Sequence, residues 1–382
     1  MRFRSVLKAS QAGIKSPSHL RHLRRSYSQH QSQPARPSFG IAFDIDGVIL
    51  RGHSPIGGSP QALRRLYNDD GTLKIPYLFL TNGGGVPESA RAIELSGLLG
   101  VKISALQVLQ GHSPFKQLLK RFENYPIVAV GKGEPSQVMS EYGFKKVLSI
   151  DEYASYFDDI DPLSSYKDWK VKQAYKTDEY SKKSQPIYDV HSDRVKGAFV
   201  VSDPVDWGRD IQVLCDILGF GGLPAKGRGH QPALFFASDD LEYQAAFPAE
   251  RLGMGAFRIA LESVFNRTHD NPLEYTSFGK PNPFVFKNAE ATLKQILSNV
   301  HHNQHTINEV KANSFSKIYM IGDNPSVDIK GAAEAGHPWF SILTRTGVFK
   351  GQDNHPEYPA NLVVDTVEEA VDYILRKESS CH

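Results

Sequence analysis

The chain has 382 residues, 40% hydrophobic and 10% aromatic, enough for one large or two ordinary globular domains. No apolar run approaches the roughly 18 residues needed to cross a membrane, and two cysteines, Cys215 and Cys381, exclude a disulfide framework and favour a reducing compartment. The formal charge of +2 hides an asymmetry: residues 1–43 hold eight Lys or Arg and no acid, leaving 36 basic against 42 acidic side chains, near −6, which argues against nucleic acid as a partner.

The leader, drawn as residues 1–38, is rich in Arg and Ser and lacks a long apolar stretch. That is the composition of a mitochondrial transit peptide, with a matrix destination. Arg24-Arg25-Ser26-Tyr27-Ser28 resembles a matrix-protease site cut after Tyr27. A disordered basic tail is the plainer alternative. Ile41-Ala42-Phe43 then reads as a buried strand. Ser59-Pro60 opens a helix through Tyr67. Residues 75–80 form a second strand, which ends at Thr81-Asn82-Gly83-Gly84-Gly85. Pro87 opens a helix with Ala90, Ile93 and Gly97 on one face, and 113–122 is a further helix.

From residue 124 the texture changes. Residues 126–130 and 195–201 read as strands around a long polar stretch, 151–193. The spacing predicts an inserted α/β domain over 124–272, with a core made of 39–123 and 273–382. Residues 301–317 are a polar surface loop. Residues 317–322, 339–343 and 361–364 are strands. Asn324 caps a helix that Pro325 starts and Gly336 stops. In the last helix Thr366 and Glu369 form a capping box, and Val367, Ala370, Val371, Ile374 and Leu375 form an apolar stripe. Strands alternating with helices predict a doubly wound parallel sheet.

Asp44 and Asp46 stand at the carboxyl end of the first strand, where α/β sheets bind ligands. Such a pair is costly unless something cationic neutralises it. Asp44 could attack an electrophile and form an acyl-phosphate, and Asp46 could exchange protons with the leaving oxygen and then with water. An isolated Asp-x-Asp also fits a turn or an incidental metal contact. Three further elements change that balance. Thr81 offers a hydroxyl for a phosphate oxygen, with the amides of the following turn beside it. Lys280, in Phe278-Gly279-Lys280-Pro281, offers a point charge. Asp323 and Asp328, in Ile321-Gly322-Asp323-Asn324-Pro325-Ser326-Val327-Asp328, complete an oxygen-rich site suited to Mg²⁺.

This ordered set resembles the four motifs of the haloacid dehalogenase superfamily, over most of residues 40–370. The resemblance implies a Rossmann-like core with a C2-type cap. It implies Asp44 as nucleophile and Asp46 as general acid/base. Thr81, Asn82, Gly83 and Lys280 would bind phosphate. Asp44, Asp46 through its main-chain carbonyl, and Asp323 would ligate Mg²⁺, with Asp328 supporting through water. An acid at Asp46 implies phosphate monoesters rather than halides. The insertion resembles that of subclass IIA. Val201-Ser202-Asp203-Pro204-Val205-Asp206-Trp207 and Gly253-Met254-Gly255-Ala256-Phe257 resemble the cat eye syndrome critical region protein 5-like branch, which implies a mitochondrial setting and a link to glycerophospholipid metabolism. Gly83-Gly84-Gly85 departs from the polar run usual after the threonine; glycines there still allow close approach to phosphate.

Other signals carry less. Val130-Gly131-Lys132-Gly133-Glu134 lacks full phosphate-loop spacing and reads as a turn after a strand. His301, His302 and His305 read as a solvated loop. Lys226-Gly227-Arg228-Gly229-His230 reads as a basic loop or an anion contact. Tyr153, Tyr156 and Tyr166 read as surface of the inserted domain. The expected partner is a small phosphorylated metabolite, such as a glycerol or lipid phosphate. A fold retained for binding or assembly, and phosphotransfer or phosphomutase chemistry, remain the alternatives.

Overall fold

The computed structural model describes residues 37–167, 187–225, 227, 229–300 and 314–380. The leader through residue 36 lies outside them, as do Lys226, Arg228, His301, His302, His305 and Cys381. In chain order the sheet strands are β1 (Phe39–Phe43), β2 (Tyr77–Leu80), β3 (Val108–Leu109), β4 (Pro126–Val130), β5 (Lys146–Ser149), β6 (Gly197–Val200), β7 (Ala233–Phe236), β8 (Thr276–Ser277), β9 (Lys317–Gly322), β10 (Trp339–Thr344) and β11 (Leu362–Val364).

The first sheet runs β11-β10-β9-β1-β2-β3, with every neighbour parallel. β1 is buried along its whole length, as its unbroken apolar run requires of a strand covered on both faces. Ile41, Phe43, Tyr77, Phe79, Tyr319 and Ile321 pack one face against the helices Ser59–Arg64, Glu88–Leu99 and Val367–Ser379. Ala42, Leu78, Leu80, Ile318 and Met320 pack the other against the helix Pro283–Val300. Each large apolar side chain so covered stabilises by roughly 1.5–3 kcal/mol relative to exposure.

The strand order reverses between β1 and β9, which opens a crevice at the carboxyl edge. Phe43 lies beside both Ile321 and Phe79. Asp44, Gly322 and Leu80 therefore leave the sheet side by side, and this register positions the site.

The second sheet, β8-β7-β6-β4-β5, is also parallel throughout and lies in the chain between Thr81 and Lys280. Residues 113–122 are a tight helix, Ser113–Leu118, followed by a short turn of α-helix, Leu119–Phe122. Phe115 and Phe122 pack edge-on or tilted against Phe199 and Phe235 of this second sheet. β8 lies beyond residue 272. Residues 113–122 and β8 thus pack with the second sheet from either side of 124–272.

Two local expectations also shift. In the helix Glu88–Leu99 the face of Ala90, Ile93 and Gly97 is exposed, while Ala92, Leu95 and Leu99 are buried. Ala92, Leu95 and Leu99 share the face turned toward the sheet, and Ile93 faces out. In the last helix the Thr366 hydroxyl accepts from the Glu369 N–H, but the Glu369 carboxylate accepts from Asp365, one residue earlier than a capping box requires.

Candidate active site

The chain after β1 turns back at once. Gly47 sits at φ 85°, and a Cβ there would collide with the Asp323 carboxylate and with the backbone at Gly347. Glycine is required for this close passage, and it keeps Asp44 and Asp46 against the end of β9.

Lys280 is the centre of charge. Its Nζ, 1% exposed, lies 2.8 Å from Asp44 Oδ1 and 2.6 Å from Asp328 Oδ1. Burial alone would lower this ammonium, but Asp328 and Asp44 outweigh burial and hold it above the ordinary lysine value. The other Asp328 oxygen accepts from the N–H groups of Asp323 and Asn324, at 3.2 and 3.1 Å. Asp323 Oδ2 accepts from Val348 N–H at 2.7 Å.

One ammonium does not balance three buried carboxylates. Burial drives Asp323 well above the usual carboxylate range, and Asp44 and Asp328 add to it. Burial also pushes Asp328 up to about 6 against the pull of Lys280, and Asp44 upward against the same pull. Oxygens of Asp44, Asp323 and Asp328 lie within 4.8 Å of one another. Three carboxylates against one ammonium leave two negative charges on an all-oxygen donor set. That set fits a hard divalent cation. The Asp46 carboxylate is not part of this cluster.

Asp46, Thr81 and Gly83 meet at a second point of the cleft. A Cβ on Gly83 would stand 3.2 Å from both Asp46 Oδ2 and Thr81 Oγ1. Thr81 Oγ1 accepts from the Gly83 N–H at 3.0 Å, so its own hydroxyl proton is available to a ligand. Burial raises the Asp46 carboxyl, with Arg91 and Lys132 the main opposing charges. Asn82 is committed elsewhere. Its Oδ1 accepts from Lys280 N–H at 2.7 Å, and its Nδ2 donates to Lys280 C=O at 2.9 Å and to Asp240 Oδ1 at 2.7 Å. Any contact of Asn82 with phosphate must come from its main chain.

All of Asp44, Asp46, Thr81, Asn82, Gly83, Lys280 and Asp323 line one cleft, with Asp328 packed behind. The inserted domain supplies residues that the motifs did not single out. Lys132, Asp203, Asp240, Glu242, Tyr243 and Gln244 line the opposite wall. Lys132 does lie in a turn after a strand, yet that turn faces the cleft. Asp240 follows β7, again at the carboxyl end of a parallel strand, and burial pushes it up to about 7. Recognising β7 would have found it.

Comparison with known proteins agrees with this geometry. A family profile described as haloacid dehalogenase-like hydrolase matches residues 41–145, and a second, HAD-hydrolase-like, matches residues 277–370. A mitochondrial hydrolase of Saccharomyces cerevisiae is 32% identical over 360 residues, covering 90% of this chain and 97% of that one. A cardiolipin synthase (CMP-forming)/mitochondrial hydrolase fusion protein of Schizosaccharomyces pombe is 34% identical over 343 residues, covering 88% of this chain and 53% of the fusion. The chain thus spans about half of that longer protein. A glycerol phosphate phosphatase from Mycobacterium tuberculosis, solved in complex with magnesium, shares the fold with a TM-score of 0.54 at 15% identity, over 88% of this chain and 76% of that one. The chain belongs to the haloacid dehalogenase-like hydrolases, and its fold, with the inserted second sheet, is shared with the glycerol phosphate phosphatase.

Proposed function

We propose that the chain is a Mg²⁺-dependent phosphatase that hydrolyses a small phosphate monoester through a phospho-aspartate at Asp44. The observation that carries this reading is the buried Lys280 Nζ held between Asp44 and Asp328 at the point of strand reversal. An ammonium there keeps a carboxylate nucleophile ionised and attracts a phosphoryl group. Asp44 attacks phosphorus, the bond from phosphorus to the leaving oxygen breaks, and Asp46 gives that oxygen a proton. Asp46 then takes a proton from water, the water oxygen attacks phosphorus, and the bond to Asp44 breaks to release inorganic phosphate.

Burial raises the Asp46 carboxyl, the direction that a proton donor to the leaving oxygen requires. Thr81, Asn82, Gly83 and Lys280 border the place of the phosphoryl group. Asp44, Asp323 and the Asp46 main-chain carbonyl would hold Mg²⁺, with Asp328 acting through water. When bound, the ion would offset the negative charge of both the carboxylates and the phosphoryl oxygens.

The relatives named as mitochondrial hydrolases, together with the acid-free leader, support a mitochondrial matrix setting. The fusion to a cardiolipin synthase and the glycerol phosphate phosphatase fold support a glycerol or lipid phosphate as substrate, in line with the cat eye syndrome critical region protein 5-like resemblance. The test is Mg²⁺-dependent phosphate release from 4-nitrophenyl phosphate, with beryllium fluoride trapping in parallel. Asp44→Asn should abolish turnover and the adduct should form at Asp44. Turnover retained by the variant would remove Asp44 from the chemistry.

A further inference from the structure

The wall of the cleft contributed by the inserted domain takes no part in the steps above. It is rich in acceptors. Among its lining side chains Asp203, Asp240 and Glu242 face a single cation, Lys132. Lys132 is already committed: its Nζ is 2.8 Å from Asp203 Oδ2 and 5.5 Å from the centre of the Tyr243 ring. Asp240 is held by the Asn82 amide at 2.7 Å and feels Lys280 from the far side of the cleft, while Glu242 has no ion-pair partner among the described residues.

Gln244 is an independent sign. It is 1% exposed. Its Nε2 donates to the carbonyls of Ala245 and Phe247, each at 2.9 Å, which fixes the amide's orientation. Its Oε1 is buried with no donor. A buried acceptor so left is costly and calls for a partner.

We infer that this wall selects the alcohol half of the substrate by positive charge, and that the preferred substrates are amino-alcohol phosphates whose ammonium sits among Asp240, Glu242 and Gln244 Oε1. This rests on the phosphatase reading of the same cleft. Six lining carboxyl groups, Asp44, Asp46, Asp203, Asp240, Glu242 and Asp323, outnumber the two lining ammoniums, Lys132 and Lys280, by four. A divalent cation and a phosphate dianion cancel in charge and leave that excess in place. A leaving group with a carboxylate adds to it in a partly desolvated cleft. A neutral polyol satisfies Gln244 but relieves no charge. An ammonium does both.

The experiment compares kcat/KM of the full chain, with Mg²⁺, on phosphoethanolamine, glycerol 3-phosphate and phosphoglycolate, with 4-nitrophenyl phosphate as a generic reporter. Phosphoethanolamine should exceed glycerol 3-phosphate by about tenfold, the effect of one favourable charge contact, and phosphoglycolate should be the poorest. Glu242 is exposed on a surface hairpin, so Glu242→Lys is a fold-safe variant, and it should cut the preference for phosphoethanolamine over phosphoglycolate at least about fivefold. Turnover of the reporter with glycerol 3-phosphate or phosphoglycolate equal to or better than phosphoethanolamine overturns the inference and leaves the phosphatase reading standing. An unchanged preference in Glu242→Lys overturns the assignment to this wall. No turnover of any ester overturns the phosphatase reading and the inference with it.

Discussion

Replacing Lys280 by methionine keeps an unbranched stem and deletes the ammonium. Lys280 is 1% exposed, and its Nζ sits 2.8 Å from Asp44 and 2.6 Å from Asp328. Removing one partner of a buried ion pair costs about 3–5 kcal/mol, because the remaining charge is stranded. Asp328 cannot turn away, since its second oxygen is held by the N–H groups of Asp323 and Asn324. Its remaining relief is to take up a proton.

That fixes the sign of the pH dependence. Burial already holds Asp328 at about 6 in the folded state, above its ordinary 3.8, and loss of Lys280 moves it higher. A carboxyl with a raised folded value costs stability above that value and is relieved as pH falls toward the unfolded one. The deficit of Lys280→Met should therefore be full at pH 8 and smaller at pH 5. Asp328→Asn in the same chain should restore much of the loss. The measurement is urea denaturation in EDTA, followed by tryptophan fluorescence, for the wild type, both single variants and the double variant. A deficit below about 1 kcal/mol at pH 8, or one independent of pH, would refute the central place given to this ammonium.

A Cβ on Gly84 would stand 2.5 Å from His112 Cδ2 and 3.2 Å from the Val201 carbonyl, so Gly84→Ala should cost about 1–3 kcal/mol in thermal or urea unfolding. A loss near zero would show that the two segments can part freely. The His112 ring is fully buried, and burial lowers it from 6.5 to about 4. The unfolded chain then takes its proton first as pH falls, so His112 withdraws up to roughly 3 kcal/mol of stability between pH 6.5 and 4. His112→Asn should flatten the urea midpoint against pH across that window, and an unchanged slope contradicts the reasoning. Residues 1–40 fused to a fluorescent reporter should carry it to mitochondria, and a diffuse cytosolic signal refutes the transit reading.

The reacting end of the cleft could be read from sequence because its residues stand where unbroken apolar runs stop. Phe43 precedes Asp44, Leu80 precedes Thr81 and Ile321-Gly322 precedes Asp323, and parallel pairing at matched register brings those ends together. The substrate wall had no such marker. Asp240 stands four residues past Phe236, the last residue of β7, rather than directly at a strand end. Asp203 follows a strand that was recognised, but its meaning depends on Lys132, 71 positions away. The glycine run after Thr81 was legible as a departure but not in its purpose. Gly84 lies against His112, while Gly85, at φ 105°, lies against Ser202 and accepts the Glu134 N–H at 2.7 Å. These glycines let the first sheet's loop and the inserted domain pass at backbone distance, a need that only the tertiary contact reveals.

Asn82 explains how one site can be assembled across so large an insertion. Thr81 and Lys280 flank the inserted domain in the chain, yet both line the same cleft. Closing a long excursion costs little more than closing a short one, since the penalty grows with the logarithm of length. What the excursion does not supply is precision at its two ends. Asn82 supplies it by gripping Lys280 at both its N–H and its C=O, at 2.7 and 2.9 Å. The same amide reaches Asp240 at 2.7 Å, so the substrate wall is referenced to the residue that locks the ammonium. The insertion can therefore alter the groups facing the leaving alcohol, such as Glu242 and Gln244, while Lys280 stays fixed over Asp44. Specificity and chemistry share a cleft but rest on different parts of the chain, and Asn82 is where the two are joined.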